Sequence, residues 1–149
     1  MNSVLAALLQ GLCGASCIAI AVLMFSQVLI RYLGEQPLNW SEELIRYLFV
    51  WAGFLGAALA QRFQAHVVLD LISASRTRWA LALKRTASVL FAVFLLFVLV
   101  SGVKFAQSGF GVRSVSLDLP MGYVYIVVPV SAVIMLMFLI EQWSTPARE

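Results

Sequence analysis

Residues 39–61 read NWSEELIRYLFVWAGFLGAALAQ, a charged beginning followed by a stretch, 47–61, that contains no charged residue. The chain has 149 residues and three more uncharged blocks of this kind. Together the four blocks, 2–30, 47–61, 86–103 and 119–140, make up more than half of the chain. A bilayer core about 30 Å thick takes roughly 20 helical residues to cross. The sequence therefore predicts an all-α membrane protein with four transmembrane helices.

The composition excludes most soluble classes of protein. Hydrophobic residues make up 62% of the chain and charged residues 11%, whereas a soluble domain is about one quarter charged. We predict a single membrane domain over 1–149, with spans at about 4–30, 40–61, 82–103 and 119–140. No phosphate loop or nucleophile arrangement is present in the sequence, so we expect no enzyme and no catalytic, cofactor-binding or metal-binding residue. Cys13 and Cys17 are expected to pack as small hydrophobic side chains.

The placement of basic residues predicts the topology. Six Lys and Arg residues lie at the termini or in the segment 62–85, and four lie on the other side. Basic residues favour the cytoplasm, so both termini are predicted to be cytoplasmic, with 31–41 and 104–118 as the outward loops. An interfacial turn or short helix is expected between spans two and three. The first block lacks the basic start of a signal peptide, so we expect it to remain as a span.

Charged residues cluster where the second span begins. Trp40 is typical of the headgroup level, and Glu42 and Glu43 in the first turn oppose the positive end of the helix. Glu42 precedes Arg46 by four residues, which is the favourable order for an ion pair, and Glu43 can reach Tyr47 in the same way. Two interpretations stay open at this point: a neutralised helix start, or a functional cluster.

Small residues follow on the same helix. Ala52, Gly56 and Ala60 recur every four residues and form one ridge, and Gly53 with Ala57 forms a second ridge beside it. Small side chains allow another helix to approach closely, and such packing drives helix association in lipid. The second span is therefore predicted to dock against another helix.

Polar residues also occur where the second span ends. Arg62, His66 and Asp70 are spaced by four and lie on one helical face. A histidine beside an aspartate can indicate a metal site or proton relay, but no second His or Cys is nearby in the sequence. A mutually hydrogen-bonded polar stripe at the membrane edge is the favoured interpretation.

Two signals concern the last span. Asp118 followed by Pro120 predicts the start of its helix. Pro129 has no N–H to donate to the carbonyl of Tyr125, so a kink is expected there, with Ser131 available to cover the freed group.

Three segments of the chain resemble the small membrane subunit, the DctQ type, of tripartite ATP-independent periplasmic (TRAP) transporters. They are NWSEELIRY at 39–47, WAGFLGAA at 51–58, and Arg62 followed by HVVLD at 66–70. The four-span plan, the chain length and the Leu119-Pro120 entry to the last span are also similar to that family.

The resemblance implies a role in a bacterial inner membrane. It implies a small, non-catalytic scaffold subunit of a sodium-driven uptake system for organic anions such as dicarboxylates or sialic acids. The implied partners are a large DctM-type subunit, a periplasmic DctP-type binding protein and membrane lipids, with no nucleic acid. Interface or structural roles are then expected for Trp40, Glu42, Glu43, Arg46, Gly53, Gly56, Ala57, Ala60, Arg62, His66 and Asp70.

Two alternatives belong to other classes of protein. A membrane-anchor subunit of a respiratory complex also has few helices, but haem ligation there normally needs two axial residues and this chain has one histidine, His66. A small multidrug exporter has a similar size, but it would require an acidic residue within its first span.

Overall fold

The computed structural model describes the backbone of residues 2–33, 39–73 and 78–144, and the side chains within 4–33, 39–63 and 85–141. This part of the chain is almost entirely helical. Its helices are α1 (Asn2–Tyr32), α2 (Asn39–Ser73), α3 (Arg78–Gly109), α4 (Gly122–Tyr125) and α5 (Val127–Ser144). The stretches Val4–Tyr32, Asn39–Phe63, Arg85–Gly109 and Gly122–Glu141 are long and apolar enough to cross a membrane. The predicted four-helix membrane fold is confirmed.

The long helices pack in the order α1, α2, α5, α3. α1 contacts mainly α2, α2 also contacts α5, and α5 contacts α3. A small core of Leu9, Leu55, Val127 and Phe138 joins the first, second and fifth helices. Since α1 and α3 lie at the two edges of this arrangement, much of their apolar surface is left for lipid or for other chains.

The contact between α1 and α2 follows a seven-residue repeat. The α1 side chains of this seam are buried or half-buried, and they recur at alternating intervals of three and four residues: Ala6, Leu9, Cys13, Ser16, Ile20, Leu23, Gln27 and Ile30. This spacing is typical of two helices that pack at a small left-handed crossing angle. α2 is therefore the main neighbour of α1 along this repeat, and α5 joins the contact at Leu9.

The second and third helices extend beyond the limits of the predicted spans. The third helix ends at Gly109 and not near residue 103, so the predicted loop 104–118 begins within α3. α2 continues to Ser73 and α3 begins at Arg78, so the interfacial turn expected between them falls on 74–77, outside the described residues.

Residues 110–121 form a tight hairpin between α3 and α4, and we call the end of the molecule that carries it the hairpin end. The backbone N–H of Ser114 donates to Leu119 O at 2.9 Å, and the N–H of Met121 donates to Val112 O at 2.9 Å. Asp118 adopts φ 50, a left-handed conformation that Asp tolerates better than most residues. The prediction that Asp118 begins the last helix is wrong, because it turns the hairpin and α4 begins at Gly122.

The hairpin is anchored by very close packing between α3 and α4. A Cβ added at Gly109 would lie 2.5 Å from Tyr125 Cδ2 and 2.9 Å from the backbone nitrogen of Gly122. A Cβ added at Gly122 would lie 2.6 Å from the ring of Phe110. Glycine is therefore required at both positions for the two helices to approach.

The last span is divided into two helices near its proline. α4 ends at Tyr125 and α5 begins at Val127, but Ile126 between them keeps helical dihedral angles, donates to Gly122 O at 3.0 Å and accepts the N–H of Val130 at 3.2 Å, so the chain continues through this point without a sharp break. The Ser131 hydroxyl donates to Val128 O at 2.9 Å and not to Tyr125 O, the carbonyl that it was expected to cover.

Candidate subunit interface

One face of α2 is left uncovered by the other described residues. Its residues recur at alternating intervals of four and three, and all are exposed except Gly56, which is half-buried. We call this face the α2 stripe: Glu42, Arg46, Phe49, Gly53, Gly56, Ala60 and Phe63. The stripe begins with two charges at the hairpin end, continues with small residues in its middle and has a phenylalanine on each side of them.

The glycines of the α2 stripe have no packing role within the described part of the chain. A Cβ added at Gly53 or Gly56 would meet no atom within 4 Å. By contrast, a Cβ at Gly102 in α3 would lie 3.0 Å from Val128 Cγ1. Glycine costs about 1 kcal/mol relative to alanine within a helix. The space above Gly53 and Gly56 is therefore open to an approaching backbone.

Two shallow apolar grooves lie on either side of Phe49, whose side chain is 70% exposed. The first groove, with a volume of about 320 Å³, is lined by Cys17, Ile20, Ala21 and Met24 of α1 and by Phe49, Ala52 and Gly53 of α2. The second, of about 370 Å³, is lined by Phe49, Val50, Gly53, Phe54 and Ala57. Both residues of the second predicted ridge, Gly53 and Ala57, therefore line a groove, whereas the first ridge contributes Ala52 alone.

The adjacent carboxylates Glu42 and Glu43 face different directions. Glu42 lies exposed on the α2 stripe, and no ion pair joins it to Arg46, which is also exposed. The favourable spacing therefore does not produce the expected pair in the described structure. Because neighbouring helical residues are about 100° apart, Glu43 lies on another face, toward the hairpin.

Glu43 holds the hairpin to the start of α2. Its Oε2 accepts the backbone N–H of Ser116 at 2.9 Å and that of Leu117 at 3.1 Å. The Tyr47 hydroxyl donates to Oε1 of the same carboxylate, as the four-residue spacing predicted. This hydroxyl also lies 3.3 Å from Met121 Sδ. The carboxylate thus joins two distant segments of the chain.

The hairpin itself presents an apolar tip. Val115 is 98% exposed, whereas Ser114 beside it is 5% exposed and accepts the N–H of Leu117 at 3.2 Å. An ion pair of 2.9 Å between Arg113 and Asp118 closes the hairpin on its outer side. Both charged side chains are largely exposed, so the pair contributes on the order of 0 to 1 kcal/mol. The Glu43 carboxylate and the backbone bonds are therefore the main restraints on the tip.

Two polar contacts between helices were missed by the sequence analysis. Gln27 Nε2 donates to Ser41 Oγ at 2.6 Å and joins α1 to the start of α2. Gln61 Nε2 donates to Met135 O at 3.3 Å and joins α2 to α5. The signal that could have revealed them was an amide side chain in each of two otherwise apolar spans, because amides in lipid seek hydrogen-bond partners.

Of the remaining predicted residues, the structure describes the side chains of Trp40 and Arg62. Trp40 is 41% exposed at the start of α2. The Arg62 guanidinium lies over the Phe138 ring, 5.5 Å from its centroid, and so contributes to the α2–α5 contact. The side chains of His66 and Asp70 lie outside the described residues, so the predicted polar stripe stays a prediction.

Comparison with known proteins shows which family the chain matches. The family model described as "Tripartite ATP-independent periplasmic transporters, DctQ component" matches residues 20–149. The chain is 28% identical over 127 residues to a sialic acid TRAP transporter small permease protein, SiaQ, from Vibrio cholerae. This match covers 83% of the chain and 72% of the relative.

Two Haemophilus influenzae proteins match over shorter stretches. A putative TRAP transporter small permease protein of strain Rd is 36% identical over 64 residues, which are 43% of this chain and 40% of the relative. A sialic acid TRAP transporter permease protein, SiaT, of strain 86-028NP is 43% identical over 60 residues. That stretch is 40% of this chain but 10% of the relative, so the chain spans a small part of SiaT.

Proposed function

Because the chain belongs to the DctQ component family of TRAP transporters, we propose that it is a non-transporting scaffold for the large permease subunit of a sodium-driven uptake system. It is a small permease subunit, a multi-pass protein of the inner membrane, and its family is not an enzyme family. The scaffold role, the sodium coupling and the partner subunits are the proposed part of this description.

The distribution of ionisable residues supports a non-transporting role. In the described spans they lie near the ends, as Glu42, Glu43, Arg46 and Lys104 do. Ionisable groups near the middle of a span are the usual sign of an ion or proton path. Two cavities of the described part, those beside Phe49, are open apolar grooves on the outside of the helices. We therefore assign the substrate and sodium sites to the large subunit.

The substrate is proposed to be an organic anion, either a sialic acid or a dicarboxylate. Two of the relatives carry the name of sialic acid transporters. A periplasmic binding protein is proposed to deliver this anion at the hairpin end. This placement depends on the proposed topology, in which both termini are cytoplasmic and the hairpin faces outward.

The α2 stripe is proposed as the docking face for the large subunit. The observation that carries this proposal is the open space above Gly53 and Gly56, since these glycines serve no close contact within the described chain. Ala57 and Ala60 extend the exposed small surface. In lipid, helices associate through close packing and hydrogen bonds, because lipid tails are as apolar as the side chains.

A detergent pull-down of the large subunit tests the docking face. Gly56→Leu is expected to reduce recovery of the large subunit strongly, because it holds the two backbones apart. Glu42→Gln is expected to reduce recovery little, since exposed ion pairs contribute on the order of 0 to 1 kcal/mol. Gly56→Ala is a second variant, and it should itself fold, because a Cβ there meets no atom within 4 Å. If Glu42→Gln dissociates the complex and Gly56→Leu does not, the charged end of α2 is the contact.

Reconstitution in liposomes tests the scaffold role. Under a sodium gradient, the chain alone is expected to take up neither a sialic acid nor a dicarboxylate. Uptake is expected when the large subunit and the binding protein are added, and it should fall when this chain is left out. Uptake of either solute by the chain alone would contradict the proposal.

A further inference from the structure

The two grooves beside Phe49 differ in how they are built. The lining of the second groove comes entirely from α2. The first groove lies between two helices, with Cys17, Ile20, Ala21 and Met24 on one wall. Its other wall contains Phe49, Ala52 and Gly53. We call it the α1–α2 groove, and it is an open, almost entirely apolar depression between the two helices.

The groove wall on α1 continues along the helix as a defined face. Gln10, Cys17 and Met24 are seven residues apart, and all three are exposed. Cys17 and Met24 line the groove, and Gln10 lies on the same face of α1, beyond the end of the groove. Met24 and Phe49 line the groove together, and Gln10 is about 21 Å from Met24 along the axis of α1.

Gln10 is an exposed amide within an apolar span. No hydrogen bond joins its side chain to any residue in the part of the chain that the structure describes. Ser16 and Ser26 of the same helix each donate to the carbonyl four residues earlier, at 2.8 Å. The long amide of Gln10 is left with its donors and acceptor available, and such groups form hydrogen bonds between helices in membranes.

The groove also meets the α2 stripe without a break. Phe49 and Gly53 belong to both, so a helix that docks on the stripe also touches the groove. Lipid tails do not need a surface of small residues, whereas a helix backbone does. In the relative SiaT, the matching 60 residues are 10% of the chain, so the similar segment is part of a much longer permease polypeptide. These observations favour a helix of the large permease as the occupant.

We propose that one transmembrane helix of the large permease subunit lies in the α1–α2 groove and hydrogen-bonds to Gln10. This inference rests on the proposed function and adds α1 as the second wall of the interface. The occupant places a bulky apolar side chain between Ala21 and Gly53, where the groove is open. A polar side chain of the same helix faces Gln10, and this contact sets the position of the two subunits along their axes.

Site-specific photo-crosslinking in native membranes tests the proposal. The photoreactive residue p-benzoylphenylalanine is placed at Ala21, which lines the groove, or at Ala15, which is exposed but does not line it. The two positions are matched, because both are exposed alanines of α1. They face different directions, because they are about 120° apart around the helix. A cross-link to the large permease is expected from position 21 and not from position 15.

Other products identify other occupants. A product of twice the mass of this chain from position 21 would show that a second copy fills the groove, and adducts with lipid alone would show that lipid fills it. Either result overturns the inference, as does a cross-link to the large permease from position 15 alone. Pull-down by the unmodified chain is run in parallel. If the unmodified chain recovers the large permease, these results contradict only the proposal that the large permease docks in the α1–α2 groove. The proposed function is then unaffected.

Substitutions test the contact with Gln10. Gln10→Leu is expected to weaken binding of the large permease by about three- to thirtyfold, the range measured for hydrogen bonds between membrane helices. Gln107→Leu, which replaces an exposed amide on α3, is the control and should leave binding unchanged. Equal binding by Gln10→Leu and the unsubstituted chain would show that the amide has no partner on the large subunit.

Discussion

Glu43 and Leu117 are distant in sequence, and the Glu43 carboxylate accepts the backbone N–H of Leu117 at 3.1 Å. The same oxygen accepts the N–H of Ser116, so one side chain at the start of α2 restrains the hairpin that carries Val115. Whatever meets the molecule at this end encounters a loop of defined shape.

Removal of the Glu43 carboxylate should loosen the hairpin without unfolding the helices. In Glu43→Ala, the amide hydrogens of Ser116 and Leu117 are expected to exchange several-fold faster with deuterium, because they lose their acceptor. Glu42→Ala is the matched control, because that neighbouring carboxylate lies on the α2 stripe. Equal exchange in the two variants would show that Glu43 does not restrain the hairpin.

Glycines that look alike in the sequence should respond in opposite directions to alanine. Gly109→Ala is expected to lower the free energy of unfolding by roughly 1–3 kcal/mol, since its Cβ would overlap Tyr125 and the backbone of Gly122. Gly53→Ala should be neutral or raise it by up to about 1 kcal/mol, because its Cβ meets no atom within 4 Å. Thermal unfolding of both variants in detergent measures the difference. A loss of stability in Gly53→Ala would show that this glycine packs within its own chain.

The contact between Gln27 and Ser41 should stabilise the attachment of α1. Gln27→Leu is expected to lower the free energy of unfolding by about 0.6–2 kcal/mol, the range for hydrogen bonds between membrane helices. Gln107→Leu is the control, because it also replaces an amide with leucine but at an exposed position, and it should change stability little. The two unfolding curves are compared in the same detergent. If they coincide, the 2.6 Å hydrogen bond adds nothing to the packing of the α1 seam.

Both termini are predicted to face the cytoplasm and the hairpin to face the periplasm. A reporter enzyme that is active only in the periplasm should be inactive when fused before Met1 or after Glu149. The same reporter inserted after Val115, at the exposed tip of the hairpin, should be active. Activity of either terminal fusion would reverse the topology, and with it the assignment of the hairpin to the outer side.

The sequence determined the features that depend on local composition and helical period. Uncharged blocks of sufficient length predict spans in any fold, because lipid tolerates neither charges nor unpaired backbone groups. The hydrogen bond between Glu43 and Tyr47 was predicted because residues four apart on a helix meet whatever surrounds them. The same rule placed Gly56 and Ala60 on one face.

Tertiary structure alone decided which of these faces is occupied. Gly53 and Gly109 are both glycines in apolar helices, yet one borders an open groove and the other lies against Tyr125. Glu42 and Glu43 are adjacent, yet one is exposed and the other holds the hairpin. The physical reason is that helix rotation depends on contacts between distant residues. In a membrane chain, lipid-facing and buried surfaces are both apolar, so hydrophobic periodicity does not report which face a neighbouring helix covers.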